Sequence, residues 1–262
     1  MDVWPLGSSL ALVVCGFVVG SLVAATGVGA GSLTTPLLVV GFGVHPAVAV
    51  GTDLLFAATT KLVAAGWHHK LGNVNARVLG GLALGSLPAA VATLAALGYF
   101  AIDTHMLAGV IRNVLAVILL ITVAAILARP VFAGPNGPDG PQGAARLWHL
   151  AAVGIVLGVV VALTSIGAGA IGVVALAVVA PALSARRIVG TDIAHAIPLT
   201  IVCGAGHFML GNTNFQVLAM LLAGSIPGVM FGSRLSLRLP DKVLRGVLAA
   251  VLALAAVLLL LK

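Results

Sequence analysis

The sequence contains no glutamate, a single tyrosine and two cysteines among its 262 residues, and charged residues make up only 7% of it. Each shortage excludes something. A soluble domain carries about a quarter charged residues, so this chain lacks the means to clothe itself in a water-facing surface. Without Glu, carboxylate chemistry falls to Asp2, Asp53, Asp103, Asp139, Asp192 and Asp241. Cys15 and Cys203 both stand in apolar runs and read as small core residues rather than a disulfide framework. No Lys or Arg precedes the first apolar run, so MDVWPLGSS lacks the positive region of a secretory signal and the stretch after it reads as a retained span. No nucleophile–base pair, phosphate loop or metal-ligand spacing is found. An enzyme, a metal site and a bound cofactor are therefore not expected.

What is present is apolar length. Hydrophobic residues make up 61% of the chain. A spanning helix needs about 20 mostly apolar residues, and runs of that kind start near Ser8, Pro46, Ala76 and Thr104, then near Leu147, Arg186, Phe215 and Asp241. Two shorter runs, Ser32 to Phe42 and Ala170 to Leu183, each follow a glycine-rich turn. A dozen helical residues rise only about 18 Å, so these are expected to be short or broken helices. The net charge of +7 would suggest nucleic acid in a soluble protein. In this chain it points to basic loops facing anionic lipid headgroups, with no nucleic-acid partner.

The chain repeats itself. TGVGAG from Thr26 reappears as TSIGAG from Thr164, 138 residues later. Gly51-Thr52-Asp53 reappears as Gly190-Thr191-Asp192, GNVN at Gly72 as GNTN at Gly211, and GSLP at Gly85 as GSIP at Gly224, all at an offset of 139. Motifs in one order and register mark a fused duplication. The expected organisation is a first transmembrane repeat over 1–128, a Gly/Pro-rich cytoplasmic linker over 129–146 and a second repeat over 147–262.

Basic residues favour inverted repeats over parallel ones. With five crossings per half, Lys70, Arg77, Arg129, Arg146, Arg186, Arg187, Arg234, Arg238, Lys242 and Arg245 share one side, and only Lys262 lies opposite. If the short segments do not cross, the halves are parallel and the same residues divide almost evenly. The expected fold is thus an all-α polytopic membrane protein of two inverted-topology repeats, about five segments each, giving 8–10 transmembrane segments.

TGVGAGSLTTPLLV, HPAVAVGTDLLFAATTK, WHHKLGNVNARV and GSLPAA, with their weaker echo in the second half, resemble the sulfite exporter TauE/SafE family of bacterial membrane proteins. The resemblance covers nearly the whole chain. It implies a multi-pass inner-membrane transporter of a small sulfur-containing or organic anion such as sulfite or sulfoacetate. The second copy departs from the fuller glycine motif, reading TSIGAGAIG, so its site is expected to be asymmetric.

Several residues could serve such a site. Gly27, Gly29 and Gly31, with Gly167 and Gly169, allow the backbone to turn and approach a ligand or another helix closely. Ser32, Thr34 and Thr35 follow at a helix start, where backbone N–H groups favour an anion. Asp53 and Asp192 lie inside apolar segments, where a carboxylate is costly unless paired or protonated. They are candidates for a coupling ion or proton, with Thr52 and Thr191 beside them. The alternative is capping of a broken helix. Lys61 is placed to attract an anion or pair with a carboxylate, or else to snorkel. His195, three residues after Asp192, shares its helix face and could relay protons or serve as a hydrogen-bonded core residue. His68, His69 and His207 are expected at the interface. Arg112 is either an anion contact or a snorkelling side chain. A cation or proton exchanger on the paired Asp residues and a passive anion channel are the competing functions. Oligomeric state is not legible.

Overall fold

The computed structural model describes residues 6–26, 31–70, 74–99, 104–128, 146–167, 169–235 and 240–261. The described residues form ten helices: α1 (Leu6–Thr26), α2 (Gly31–Gly41), α3 (Pro46–Lys70), α4 (Ala76–Tyr99), α5 (Thr104–Ala128), α6 (Leu147–Thr164), α7 (Ala170–Val179), α8 (Ala185–Met209), α9 (Phe215–Leu235) and α10 (Asp241–Leu260). No strand is found among them. Gly27, Gly29 and all but the last residue of the expected linker 129–146 lie outside the described residues.

Six helices are long and apolar enough to cross a membrane: α4, α6 and α8, with most of α5, α9 and α10. The 21 residues of α1 and 25 of α3 are of similar length. The two expected short helices are α2, with 11 residues, and α7, with 10. At about 1.5 Å per residue neither alone reaches the roughly 30 Å of a hydrocarbon core. The exposed surface is apolar. On α1, Leu10, Val14 and Val18 repeat every fourth residue along one exposed stripe, while Leu12, Gly16 and Val19 face inward. Such a stripe is stable against lipid tails and costly against water. The chain is a polytopic membrane protein.

At the centre α3 and α8, equivalent helices of the two repeats, run antiparallel. Gly51 of α3 abuts His207 of α8, and one turn later Leu55 meets Gly204. The absent side chain of Gly51 also admits the Asn212 carbonyl, so any Cβ there would collide with backbone. Reciprocal hydrogen bonds close both ends: the Asn214 N–H donates to the Thr52 hydroxyl at 3.0 Å, and the Asn75 N–H to the Thr191 hydroxyl at 2.9 Å. Each GTD motif therefore bonds the asparagine loop of the other half.

Outer helices are exchanged in the same way. Helix α1 lies parallel to α9, with Gly16 and Gly20 against Leu221 and Ser225, and Gly224, Gly228 and Gly232 against Val13, Phe17 and Ser21. The equivalent pair is α4 with α6, where Gly85 meets Ala151, and Gly154 and Gly158 meet Leu82 and Ser86. In lipid, helix association rests on such close backbone packing rather than on hydrophobic exclusion. Helix α5 packs on α10, α2 on α3 and α10, and α7 on α8 and α5.

Candidate functional site

The glycine turn of the second repeat brings α7 onto the centre. Helix α6 ends at Thr164, whose hydroxyl bonds back to Val160 at 2.7 Å and receives the Ile166 N–H at 3.1 Å. Gly167 and Gly169 follow at φ 131° and 133°. L side chains rarely adopt that backbone, so these two positions require glycine. Ser165 is the one described non-glycine residue with positive φ, at 60°. It stands where the first repeat has Gly27.

Ser165 reaches across to the first repeat. Gly31, opening α2, sits against the Ser165 carbonyl with no room for a side chain. Next to it Asp53 of α3 is fully buried, its Oδ2 accepting the Thr35 hydroxyl of α2 at 2.7 Å. The hydroxyls of Thr34 and Ser165 lie beside the same carboxylate. Ser32, Thr34 and Thr35 are all buried, so the start of α2 presents a patch of hydroxyls inward.

The second carboxylate has different company. Asp192 of α8 is 1% exposed, and its Oδ1 fills the space left by the missing side chain of Gly172 on α7. Gly172 and Val173 hold the register that Thr34 and Thr35 hold in the first half. One turn along α8, His195 Nε2 shares a 2.8 Å hydrogen bond with the Ser86 hydroxyl of α4. Pro198 then interrupts the α8 ladder. Lys61 of α3 is half-buried, and its charge acts on Asp192, on Asp53 and on His195. Two carboxylates and one ammonium thus act on one another within the helix bundle, where charges interact more strongly than in water.

The structure brings Ser32, Thr34, Asp53, Lys61, Asp192 and His195 to this region, with Gly31, Gly167 and Gly169 shaping the turns around it. Thr52 and Thr191 are next to the carboxylates in sequence, but their hydroxyls receive the cross-half N–H bonds described above. His207 corrects an expectation. It is fully buried rather than interfacial, and its Nε2 donates to the Ala162 carbonyl at 2.8 Å. The packing of α8 against Gly51 draws it inward, and the carbonyl supplies the partner a buried imidazole needs. Cys203 is buried and Cys15 half-buried, both free. Arg112 is half-buried on α5. Two contributors went unread in the sequence. Ser86 sits inside the repeated GSLP motif, and Ser165 is the single serine for glycine within TSIGAG.

Charged and hydroxyl side chains buried at the core of a polytopic helical protein, where paired short helices begin, define a membrane transporter. The family model described as "Sulfite exporter TauE/SafE" matches residues 12–259, and the chain belongs to that family. It is 34% identical over 248 residues to the probable membrane transporter protein YjnA of Bacillus subtilis (strain 168), covering 93% of this chain and 96% of that one. It is 26% identical over 247 residues to the probable membrane transporter protein YdhB of the same organism, covering 93% and 97%. No solved structure matches. These names are those of transporters, not enzymes, and fit a multi-pass protein of the bacterial inner membrane.

Proposed function

We propose that this protein is a secondary transporter that exports a small sulfur-containing or organic anion, sulfite or a sulfonate such as sulfoacetate, by alternating access. The observation that carries the reading is Lys61, a half-buried cation whose charge acts on residues of both repeats at the centre of the bundle. An intramembrane ammonium in a bundle with buried hydroxyls suits a small oxyanion, which needs a countercharge and several donors. The sulfur in the substrate rests on the family's name.

The antiparallel run of α3 and α8 supports inverted repeats. Equivalent helices of parallel repeats would point the same way. An inverted pair around a central site has two equivalent routes, one to each face, which is the geometry alternating access uses.

The paired carboxylates Asp53 and Asp192, both buried, favour a second reading, a cation or proton exchanger. Flux measurements in proteoliposomes, with sulfite, sulfate, thiosulfate and sulfonates each supplied as substrate, separate the two. Uptake of at least one anion that saturates and is lost in Lys61→Gln supports the first reading. Cation exchange without flux of any anion in the panel replaces it with the second. Anion flux that never saturates makes the protein a passive channel.

A further inference from the structure

We propose that the two outer helix pairs move unequally: a Ser86–His195 latch keeps α4–α6 on the central helices, while α1–α9 shifts to open a path. The inference deepens the alternating-access reading and rests on it.

The two pairs hold equivalent places. Each is closed internally by its glycine seam, and each leans on a central helix, α4 on α8 and α9 on α3. Both are tethered alike at the asparagine loops, through Thr191 with Asn75 and Thr52 with Asn214. The difference lies further along. Among the described residues the Ser86 hydroxyl of α4 has one hydrogen-bond partner, His195 Nε2 of α8 at 2.8 Å. Both residues are fully buried. Their equivalents in the other half are Ser225 of α9 and Phe56 of α3, each 1% exposed. A phenyl ring has no hydrogen-bonding atom, and the Ser225 hydroxyl turns back to the Leu222 carbonyl of its own helix at 3.4 Å. Phe56 lies instead in an apolar cluster with Val217 and Leu221 of α9. The serine of the repeated motif thus bridges two helices in one half and stays within one helix in the other.

A hydrogen bond holds one distance and direction, whereas apolar contact is non-directional and tolerates sliding. Drawing α4 off α8 leaves a hydroxyl and an imidazole unpaired in the interior. Sliding α9 along Phe56 breaks no such bond. Shape adds a second difference. The Leu94 side chain of α4 occupies the space a side chain at Gly206 of α8 would need. The α3 position equivalent to Gly206 is Trp67, so the glycine that seats α4 is missing from the other half. His207 makes no such distinction, because its equivalent, His68, is also histidine. With its first turn tethered at Asn214 and no latch beyond, α9 is free to swing about that end and carry α1 with it.

The test is pulsed electron paramagnetic resonance on the full-length protein in lipid nanodiscs, with Cys15→Ala and Cys203→Ala as background. Spin labels go on two repeat-equivalent pairs of exposed positions, Leu84 with Ile201 for α4–α8 and Ala223 with Leu62 for α9–α3. The first pair is expected to give one narrow distance, and the second a broad or two-peaked distribution. Equal widths in both pairs, or a broader first pair, overturn the proposal. Ser86→Ala is expected to broaden the first pair, changing its ratio of displaced to seated states by about threefold to tenfold, the worth of one hydrogen bond. An unaltered distribution in Ser86→Ala overturns the latch. Phe56→His, which copies the latch residue into the first repeat, is expected to narrow the second pair; should it fail to fold, Ser86→Ala still decides the matter. Unequal widths without anion flux leave the asymmetry standing and remove the anion-transport reading. Saturable anion flux with equal widths does the reverse.

Discussion

The Thr52 hydroxyl accepts the backbone N–H of Asn214 at 3.0 Å, across 162 positions of chain. Its twin, Thr191 with Asn75, lies at the other end of the antiparallel α3–α8 pair. Both hydroxyls are fully buried. Replacing either threonine with valine keeps the shape and strips the acceptor, leaving an amide unpaired at a cost of about 1–3 kcal/mol. Thr52→Val and Thr191→Val should each lower the unfolding midpoint in detergent. The two bonds sit far apart, so the double variant should show the sum of both losses. An unchanged midpoint in both single variants would remove these bonds from the account of stability.

Helix α4 offers a paired test of the glycine seams. At Gly85 a methyl group would press on the backbone of Ala151 and Ile155, whereas at Gly80 nothing lies within 4 Å. Gly85→Ala should destabilise by about 1–3 kcal/mol through overpacking. Gly80→Ala should stabilise by up to about 1 kcal/mol through helix propensity. Opposite signs for two alanines on one helix, read by reversible unfolding in detergent, are the expected result. Equal signs would argue against the close α4–α6 packing.

Lys61 lies in the interior of α3, and Thr200 takes its place in the other repeat. Lys61→Gln should reduce anion affinity by about tenfold or more, the worth of a charged hydrogen bond. Lys61→Arg should retain part of the flux, because it keeps the charge while changing its shape. Proteoliposome uptake at several anion concentrations measures both. Full activity in Lys61→Gln would show that the ammonium does not hold the anion.

His195 has its own internal control, because the equivalent position in the first repeat is Phe56. His195→Phe should therefore insert and remain folded, while leaving the Ser86 hydroxyl without its 2.8 Å partner. Slower anion flux is expected at a stability within about 1–2 kcal/mol of wild type, since one hydrogen bond is lost and a bulky apolar ring gained. Wild-type flux would make His195 a packing residue only.

Much of the fold could be read from the letters because the repeat is written in them. The short helices after the glycine turns, the breaks between long apolar runs and the equivalence of Asp53 with Asp192 all follow from local pattern and offset. What the pattern did not carry was which half each motif touches. Thr52 adjoins Asp53 in sequence, yet its hydroxyl receives an amide from the far repeat, and no local spacing reports such a contact. The same holds for Gly16, Gly20, Gly154 and Gly158. Their four-residue spacing is visible, but it does not say that α1 lies along α9 and α6 along α4. His207 failed for a related reason. Its place near the end of α8 suggested the interface, and only the fit against Gly51 draws it inward.

The exchanged seams also bear on what a working part of this protein is. Each repeat lends its first helix to the other, α1 to α9 and α6 to α4. Cut at the linker, the chain would yield two fragments that each expose a strip of bare glycine backbone to lipid and leave half of every seam behind. The closely packed pieces are therefore composite, each assembled from both repeats. In the alternating-access reading proposed above, motion that opens a path to the interior runs between such composites rather than between the repeats.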